Sequence, residues 1–319
     1  MTSQTAAGLD DLAASSQLAV PQGWRLPGRA RALLGWLPRE HGESLLASQA
    51  EGELSETQRA RVSEARDAVA ARPAGIDQAD LISPLPDELA DHVTRLGATP
   101  AGARMRAEGW EIAMVDLDRV VAVQPSVFTD TAAERAASLD PGDLRAVAKL
   151  TLPVSHPRLT GDLSAGDDAP PISVQYNHLK QTYTITSPNP NLTVAGNFDA
   201  PGHFDARQPG GLTEFGFRIT VPPSFIQVAR FQGRYSLRDG HHRSFGLLTR
   251  GITRVPAYVR DFATAEEAVP AETLPRSAWL GDRPALLRDY HDDLVAEPVL
   301  LPVPHRMIVI HAVELLMLN

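Results

Sequence analysis

One short run of residues holds the side chains most capable of chemistry. Asp239-Gly240-His241-His242-Arg243 places one carboxylate, two imidazoles and one guanidinium within five positions. An Asp-Gly pair is typical of a tight turn. A helix that follows such a turn presents backbone N–H groups and partial positive charge at its N-terminus. With both histidines and Arg243 in the first helical turn, these donors predict an anion site, for which phosphate is the usual occupant.

The carboxylate of Asp239 has a different predicted role from its cationic neighbours. Beside a bound phosphate, it would either hold a divalent metal ion such as Mg²⁺ or take a proton from an attacking hydroxyl. The alternative is structural: Asp239 caps the helix, Gly240 supplies the turn, and the two histidines are solvated. The elements predicted around the run favour a functional site over this alternative.

Those elements are a hairpin, a tight turn, a short helix and a further strand. The predicted strands and helix cover residues 226–231, 234–237, 244–250 and 255–260. Gln232-Gly233 supplies the hairpin turn. Gly251 suits the position just after the helix, and Pro256 stands near the start of its strand, as proline in a sheet requires.

This arrangement resembles the ParB/sulfiredoxin superfamily. Members place a Gly-x-[His/Arg]-Arg type motif after a hairpin, then a helix, then a Gly-Ile-x-x-[Ile/Val]-Pro strand. The matching segments here are Arg234 to Arg243 and Gly251-Ile-Thr-Arg-Val-Pro256, while residues 116–125 resemble the first strand of the family and the loop after it. The resemblance covers about residues 110–128 and 222–262. It implies an α+β fold with a mixed sheet and short helices.

This sequence excludes one of the activities found in the superfamily and counts against two others. Sulfiredoxins use a cysteine nucleophile where this chain has His241, and the chain contains no cysteine, so sulfinic-acid reduction is excluded. Chromosome-partitioning members bind CTP and continue into a helix-turn-helix, of which residues 263–319 show no sign. Free-serine kinases carry an Asp-Gly-His-His-Arg-like motif, but the loop that holds their catalytic glutamate offers Gln124, which cannot act as a base.

The resemblance therefore implies a protein that binds a nucleoside phosphate, with ATP, ADP or CTP and Mg²⁺ as the expected ligands. The expected reaction is NTP-dependent hydrolysis or phosphoryl transfer to a small-molecule or protein acceptor. The residues expected to bind the nucleotide are Gly240, His241, His242, Arg243 and Gln124. The residues expected to be catalytic are Asp239, His241 and His242, with Asp239 also as metal ligand.

Two functions of other classes remain open. A nucleic-acid-associated protein, nuclease or partition-like, is suggested by a series of arginines, although the net charge of −9 does not favour it. These arginines are at positions 230, 234, 238, 243, 250, 254 and 260. A non-catalytic module that senses a ligand is the other alternative, with the N-terminal region recruiting a partner.

The domain organisation follows from changes in composition. Residues 1–105 are rich in Ala, Leu, Arg and Glu and are predicted to be a helical N-terminal region, in which Ser55 and Gln58 have the spacing of a capping box. Residues 106–265 are predicted to form the ParB/sulfiredoxin-like core, with a β-rich insertion at about 150–222. Residues 266–319 form a C-terminal extension.

Composition and hydropathy limit the cellular context. No basic and apolar leader is found at the N-terminus, and the apolar stretch Met307 to Leu318 is too short to cross a bilayer. We therefore expect a cytoplasmic protein with no membrane contact, in which this stretch could serve oligomerisation. Lysine occurs only twice, at Lys149 and Lys180, which together with the high Ala content is typical of a GC-rich bacterial genome.

Other polar clusters carry weaker signals. Asp199, His203 and Asp205 fall within one loop and could hold a metal ion, but a polar surface loop is the commoner explanation. Residues 291–293 are predicted to end a solvated helix. Structural roles are predicted for four further residues: Trp24, Trp36, His305 and His311.

Overall fold

The computed structural model describes most of the chain. It covers residues 27–47, 54–154, 173–179, 181–187, 192–199, 215–220, 222–269, 273–303 and 306–311. The strands are β1 (Pro27–Ala32), β2 (Ile82–Ser83), β3 (Glu111–Asp116), β4 (Ser126–Phe128), β5 (Ser173–Asn177), β6 (Thr182–Ser187), β7 (Thr193–Asp199), β8 (Phe215–Thr220), β9 (Gln227–Phe231), β10 (Arg234–Asp239), β11 (Arg254–Asp261), β12 (Glu297–Pro302) and β13 (Arg306–His311).

The helices are short apart from one. They are α1 (Arg39–Ala47), α2 (Glu56–Ala71), α3 (Ala90–Gly97), α4 (Pro100–Ala107), α5 (Thr129–Ala136), α6 (Leu144–Thr151), α7 (His241–Thr249), α8 (Ala265–Ala268) and α9 (Arg276–Leu280). Single turns of 3-10 helix occur at Leu34–Trp36, Asp87–Leu89, Leu117–Arg119 and Leu287–His291. The predicted α+β class, with a mixed sheet and short helices, is confirmed.

A five-stranded mixed sheet, in the order β10-β9-β11-β3-β2, forms the centre of the structure. The hairpin of β9 and β10 is antiparallel, and α7 then carries the chain to β11, which pairs parallel with β9. On its other edge β11 pairs antiparallel with β3. The predicted order of hairpin, tight turn, helix and strand is therefore confirmed, and the predicted proline position has a clear reason. Pro256 pairs with Met114 of β3, whereas pairing with β9 begins only at Tyr258, so the proline precedes the doubly paired part of β11.

The helix α7 is held tightly against the core. Six of its nine residues are buried, among them Phe245 and Leu247. It packs closely on α5, because a Cβ atom added to Gly246 would lie 2.4 Å from the carbonyl oxygen of Ala132. The start of α7 is therefore fixed relative to the sheet and to α5.

The range 1–105 is not purely helical. It contains α1 to α3 and most of α4, and the capping box predicted at the start of α2 is present, with the Ser55 hydroxyl accepting from the Gln58 backbone N–H. However, β1 lies in the same range and pairs antiparallel with both β12 and β4. A strand from the predicted helical region thus joins the C-terminal extension to the core. In the described part of the chain, no helix combines the length and apolar character needed to cross a bilayer.

Within residues 150–222, the strands of the described segments are β5 to β8. β5 and β6 form a sheet with β13 in the order β13-β6-β5, and β7 pairs with β8. The start of the apolar stretch Met307 to Leu318 therefore lies in a strand that pairs with β6 of the same chain. The rest of that stretch, from residue 312, lies outside the described residues.

Candidate functional site

The turn between β10 and α7 requires glycine. Gly240 has a φ of 100°, in the left-handed region that L side chains rarely adopt. A Cβ atom at this position would also lie 2.9 Å from Cγ1 of Ile226. Gly240 is the N-cap of α7 and supplies no side-chain cap. A helix leaves its first backbone N–H groups without intrahelical partners, and no side chain caps those of α7, while binding of an anion there stays a prediction.

The carboxylate of Asp239 is oriented by a hydrogen-bond relay rather than used as a cap. The Ser224 hydroxyl donates to Asp239 Oδ2 at 2.8 Å. Arg243 Nη2 in turn donates to the Ser224 hydroxyl oxygen at 2.7 Å. The other oxygen, Oδ1, accepts no hydrogen bond from any described residue, and the side chain is half-buried. The structural alternative, in which Asp239 caps the helix, is not what the structure contains.

Arg243 faces the protein interior. The residue is 6% exposed. Besides the Ser224 hydroxyl, its guanidinium donates to the Ser224 carbonyl at 2.5 Å and to the Leu150 carbonyl at 3.3 Å. The guanidinium therefore ties α7 to the end of α6 and to the segment before β9. Direct binding of phosphate by Arg243 stays a prediction, and the contacts observed give it a positioning role towards Asp239.

His241 is a buried imidazole at the first position of α7. It is 4% exposed, and no described residue forms a hydrogen bond with its Nε2. Burial, together with the neighbouring His242, lowers the pKa of His241 to about 3. The imidazole is therefore neutral near pH 7. A neutral ring donates one hydrogen bond from one nitrogen and accepts one at the other, but a group with so low a pKa is a weak general base.

The low pKa of His241 predicts acid sensitivity of the fold. Between pH 6.5 and the folded pKa of about 3, the unfolded chain takes up a proton that the folded chain does not, so acid favours unfolding. From pH 7 to pH 5 this group should remove about 2 kcal/mol of unfolding free energy. Urea denaturation at both pH values, on the wild type and on His241→Gln, measures the effect. Equal losses in the two proteins would contradict it, since the other titrating groups are common to both.

His242 points in a different direction from His241. Its ring stacks on Phe128, the last residue of β4, with centroids 5.6 Å apart and planes 9° apart. Phe128 directly precedes α5, which itself packs on α7. The two histidines, which were predicted to face the same anion, therefore differ in environment. His241 is buried, whereas His242 is partly exposed beside an aromatic ring.

Gln124 lies at the same end of the sheet as Asp239. Val121 forms a parallel bridge with Ser236 of β10. Since the two segments run in the same direction, the chain reaches Gln124 as β10 reaches Asp239. The side-chain oxygen of Gln124 is buried and has no hydrogen-bond partner among the described residues. The Tyr290 hydroxyl fixes this loop by donating to the Gln124 carbonyl at 2.6 Å.

Two polar residues at this site carry no recognisable sequence signal. Ser224 follows two prolines in a segment without periodicity, and only the fold brings it to Asp239. Ser244 lies three residues after His241, hence on the same side of α7. It is fully buried, and its hydroxyl has no partner in the described part of the chain. Buried polar atoms without partners are rare in folded proteins and are common where a water or ligand completes the site.

The weaker candidates are scattered. Among the described residues, no group of three or more His, Asp or Glu side chains is placed to hold a metal ion. His203 and Asp205 lie outside the described residues, as do Trp24, His305 and the side chains of Asp199 and His311. Trp36 is buried, and its Nε1 donates to the Arg283 carbonyl at 2.7 Å. Residues 291–293 lie at the end of the 3-10 helix Leu287–His291, and the His291 ring stacks on Phe245 with the ring centroids 4.2 Å apart.

Comparison with known proteins gives no relative: no family model, curated protein or solved structure matches the chain.

Proposed function

We propose that this chain is a ParB/sulfiredoxin-like protein that binds a nucleoside phosphate at the turn from Asp239 to Arg243. The proposed reaction is NTP-dependent hydrolysis or phosphoryl transfer. The main support is the relay Arg243–Ser224–Asp239, which holds a half-buried carboxylate beside the N-terminus of a helix that has no side-chain cap. A purely structural turn needs no oriented carboxylate at this place.

The terminal phosphate would lie against the backbone N–H groups at the start of α7. The dipole of the helix favours a negative charge there. Asp239 carries the same sign of charge as a phosphate, so the two groups repel unless a cation or a proton lies between them. Asp239 would either hold Mg²⁺, which proteins commonly bind through one or two carboxylates together with phosphate oxygens, or accept a proton, and the second role is the one proposed below. When bound, the ion would supply charge neutralisation.

In the proposed step, Asp239 accepts the proton of the attacking hydroxyl, which belongs to water or to an acceptor. The hydroxyl oxygen forms a bond with the terminal phosphorus. The bond from that phosphorus to the bridging oxygen breaks, and the nucleoside diphosphate leaves with the electron pair. Because the Ser224 hydroxyl occupies Oδ2, the proton goes to Oδ1.

The neutral state of His241 gives this residue a binding role. With a pKa of about 3, it stays uncharged at pH 7 and can donate a hydrogen bond from one ring nitrogen. Gln124 and Ser244 add polar atoms that have no protein partner among the described residues. We therefore assign His241, Gln124 and Ser244 to ligand binding, together with the partly exposed His242, and Asp239 to the proton transfer.

The nucleic-acid alternative loses support because most of the arginines behind it bind the protein itself. Six of the seven donate hydrogen bonds to protein oxygens: Arg230 to Asp261, Arg234 to Gly281, Arg238 to Glu267, Arg243 to Ser224, Arg250 to Leu139 and Arg254 to Ser83. The seventh, Arg260, lies over the Phe262 ring at 4.7 Å. Six of the seven guanidinium groups are thus already bound to protein oxygens, and three of these six, Arg230, Arg250 and Arg254, lie at exposed positions.

Isothermal titration with ATP, ADP and CTP, each with Mg²⁺, tests the proposal. At least one of them should bind with a dissociation constant of about 1 mM or tighter. His242→Gln should weaken the binding, whereas His178→Gln, a matched change in the exposed turn after β5, should leave it unchanged. If none of the three nucleotides binds at millimolar concentration, the proposal is wrong.

A further inference from the structure

A cavity lies apart from the turn between β10 and α7. It has a volume of about 800 Å³ and is formed by three segments: residues 72–77, Arg119, and residues 283–292. This volume lies within the range of small-molecule sites, roughly 300–1,000 Å³. None of its lining residues belongs to the nucleotide site proposed above.

Four arginines line this cavity, and two of them are neutralised by the protein. Arg72 forms ion pairs with Asp289 at 3.0 Å and Asp292 at 2.8 Å. Arg119 pairs with Asp116 at 3.0 Å, and its Nη1 donates to the Ala79 carbonyl. The guanidinium groups of Arg72 and Arg119 therefore bind the protein itself and are not counted as donors to a ligand.

The other two arginines have no carboxylate partner in the described part of the chain. Arg283 uses only Nε, which donates to the Arg72 carbonyl at 2.5 Å. Arg288 is exposed and forms no hydrogen bond or ion pair with any described residue. The remaining acidic residue of the lining, Asp77, accepts a hydrogen bond from the Ala79 backbone N–H through Oδ1. Two guanidinium groups without a carboxylate partner among the described residues thus line one cavity. Asp77 is the one carboxylate of the lining that forms no ion pair with a described residue.

The walls that carry these arginines are fixed before any ligand binds. Asp289 is buried and accepts from the Leu286 backbone N–H at 2.7 Å, which holds the turn from residue 286 to residue 292. Arg72 also lies over the Trp36 ring at 5.1 Å. Ile76, Pro284 and Leu286 add an apolar wall beside the charged groups. A site with fixed donors and an apolar wall suits a small organic anion.

From this geometry we infer that the cavity binds a small anion bearing phosphate or carboxylate groups, held by the paired forks of Arg283 and Arg288. Guanidinium forks match the oxygen pairs of both groups. The apolar wall would contact the carbon part of the ligand. The inference does not depend on the nucleotide site, since the two share no residue.

Titration calorimetry with pyrophosphate and with citrate tests this inference and separates the phosphate source from the carboxylate source. At least one anion should bind the wild type, and Arg288→Gln should weaken it about tenfold or more, a loss of about 1.4 kcal/mol. Arg59→Gln removes the same charge from an exposed position on α2, outside the cavity, and should bind as the wild type does. His242→Gln should also leave this binding unchanged.

A chemical footprint gives a second measurement at the level of single residues. Phenylglyoxal modifies accessible guanidinium groups, and peptide mapping should show that the bound anion protects Arg288 but leaves Arg59 reactive. The inference is overturned if neither anion binds at about 10 mM. It is also overturned if Arg288→Gln binds as the wild type does, or if His242→Gln abolishes the binding.

Discussion

Replacement of Asp239 by Asn should abolish nucleotide turnover while leaving nucleotide affinity unchanged or higher. The amide cannot accept the proton of the attacking hydroxyl, and loss of a positioned general base costs typically 10²–10⁴-fold in rate. Removal of a negative charge beside the phosphate lowers the repulsion in the bound state. Turnover of ATP and CTP with Mg²⁺, measured beside the binding titration, gives both quantities from the same protein.

Ser224→Ala is the matched control for Asp239→Asn. It keeps the carboxylate but removes the hydroxyl that binds Oδ2 at 2.8 Å. A smaller loss of turnover, with affinity close to that of the wild type, is expected because the base is present but less well oriented. Full turnover in Asp239→Asn would show that the carboxylate is not the base, and the catalytic part of the proposed function would then be abandoned.

Replacement of Arg243 by Ala should destabilise the protein. The buried guanidinium donates to the Ser224 and Leu150 carbonyls and to the Ser224 hydroxyl, so its loss leaves buried acceptors without donors. The loss of one such charge-assisted hydrogen bond costs roughly 1.5–3 kcal/mol of unfolding free energy. Arg243→Lys should recover little of this, since a single ammonium group cannot reproduce the planar fork. Urea denaturation measures the unfolding free energy of each variant.

Arg254→Ala is the corresponding control. Arg254 is exposed, and its guanidinium donates to the Ser83 hydroxyl at 2.8 Å near the protein surface. The same substitution should therefore change the unfolding free energy much less there. If Arg243→Ala is as stable as the wild type and loses only nucleotide affinity, then Arg243 binds phosphate directly, as the sequence alone predicts, and the positioning role is wrong.

Local signals were sufficient for the elements around the candidate site. The capping box of Ser55 and Gln58 correctly marks the start of α2, because this signal acts within a few residues. A Gln-Gly turn, a glycine after the helix and a proline near the start of the last strand likewise identify β9, β10, α7 and β11. In the same way, the left-handed φ of Gly240 is a property of the Asp-Gly turn itself.

The pairing of strands that are far apart in the chain could not be predicted from the sequence. β1 lies in a range with helical composition, yet it is a strand because β12 and β4 pair with it from about 270 and 100 residues away. Propensity within the segment gives no sign of such partners. The arginines that line the cavity beside residues 283–292 also come from three separate segments, and nothing in the local sequence places them together.

By itself, the sequence determined the Asp-Gly turn at residues 239–240 and the hydrogen-bond donors that follow it in the chain, since these depend on neighbouring residues. The tertiary structure decided which donors remain available to a ligand. Burial keeps the imidazole of His241 neutral, and the guanidinium of Arg243 points into the interior. The Ser224 hydroxyl, which binds both Arg243 and Asp239, orients the carboxylate of Asp239. These outcomes depend on desolvation and on contacts between distant segments, which residue spacing does not encode.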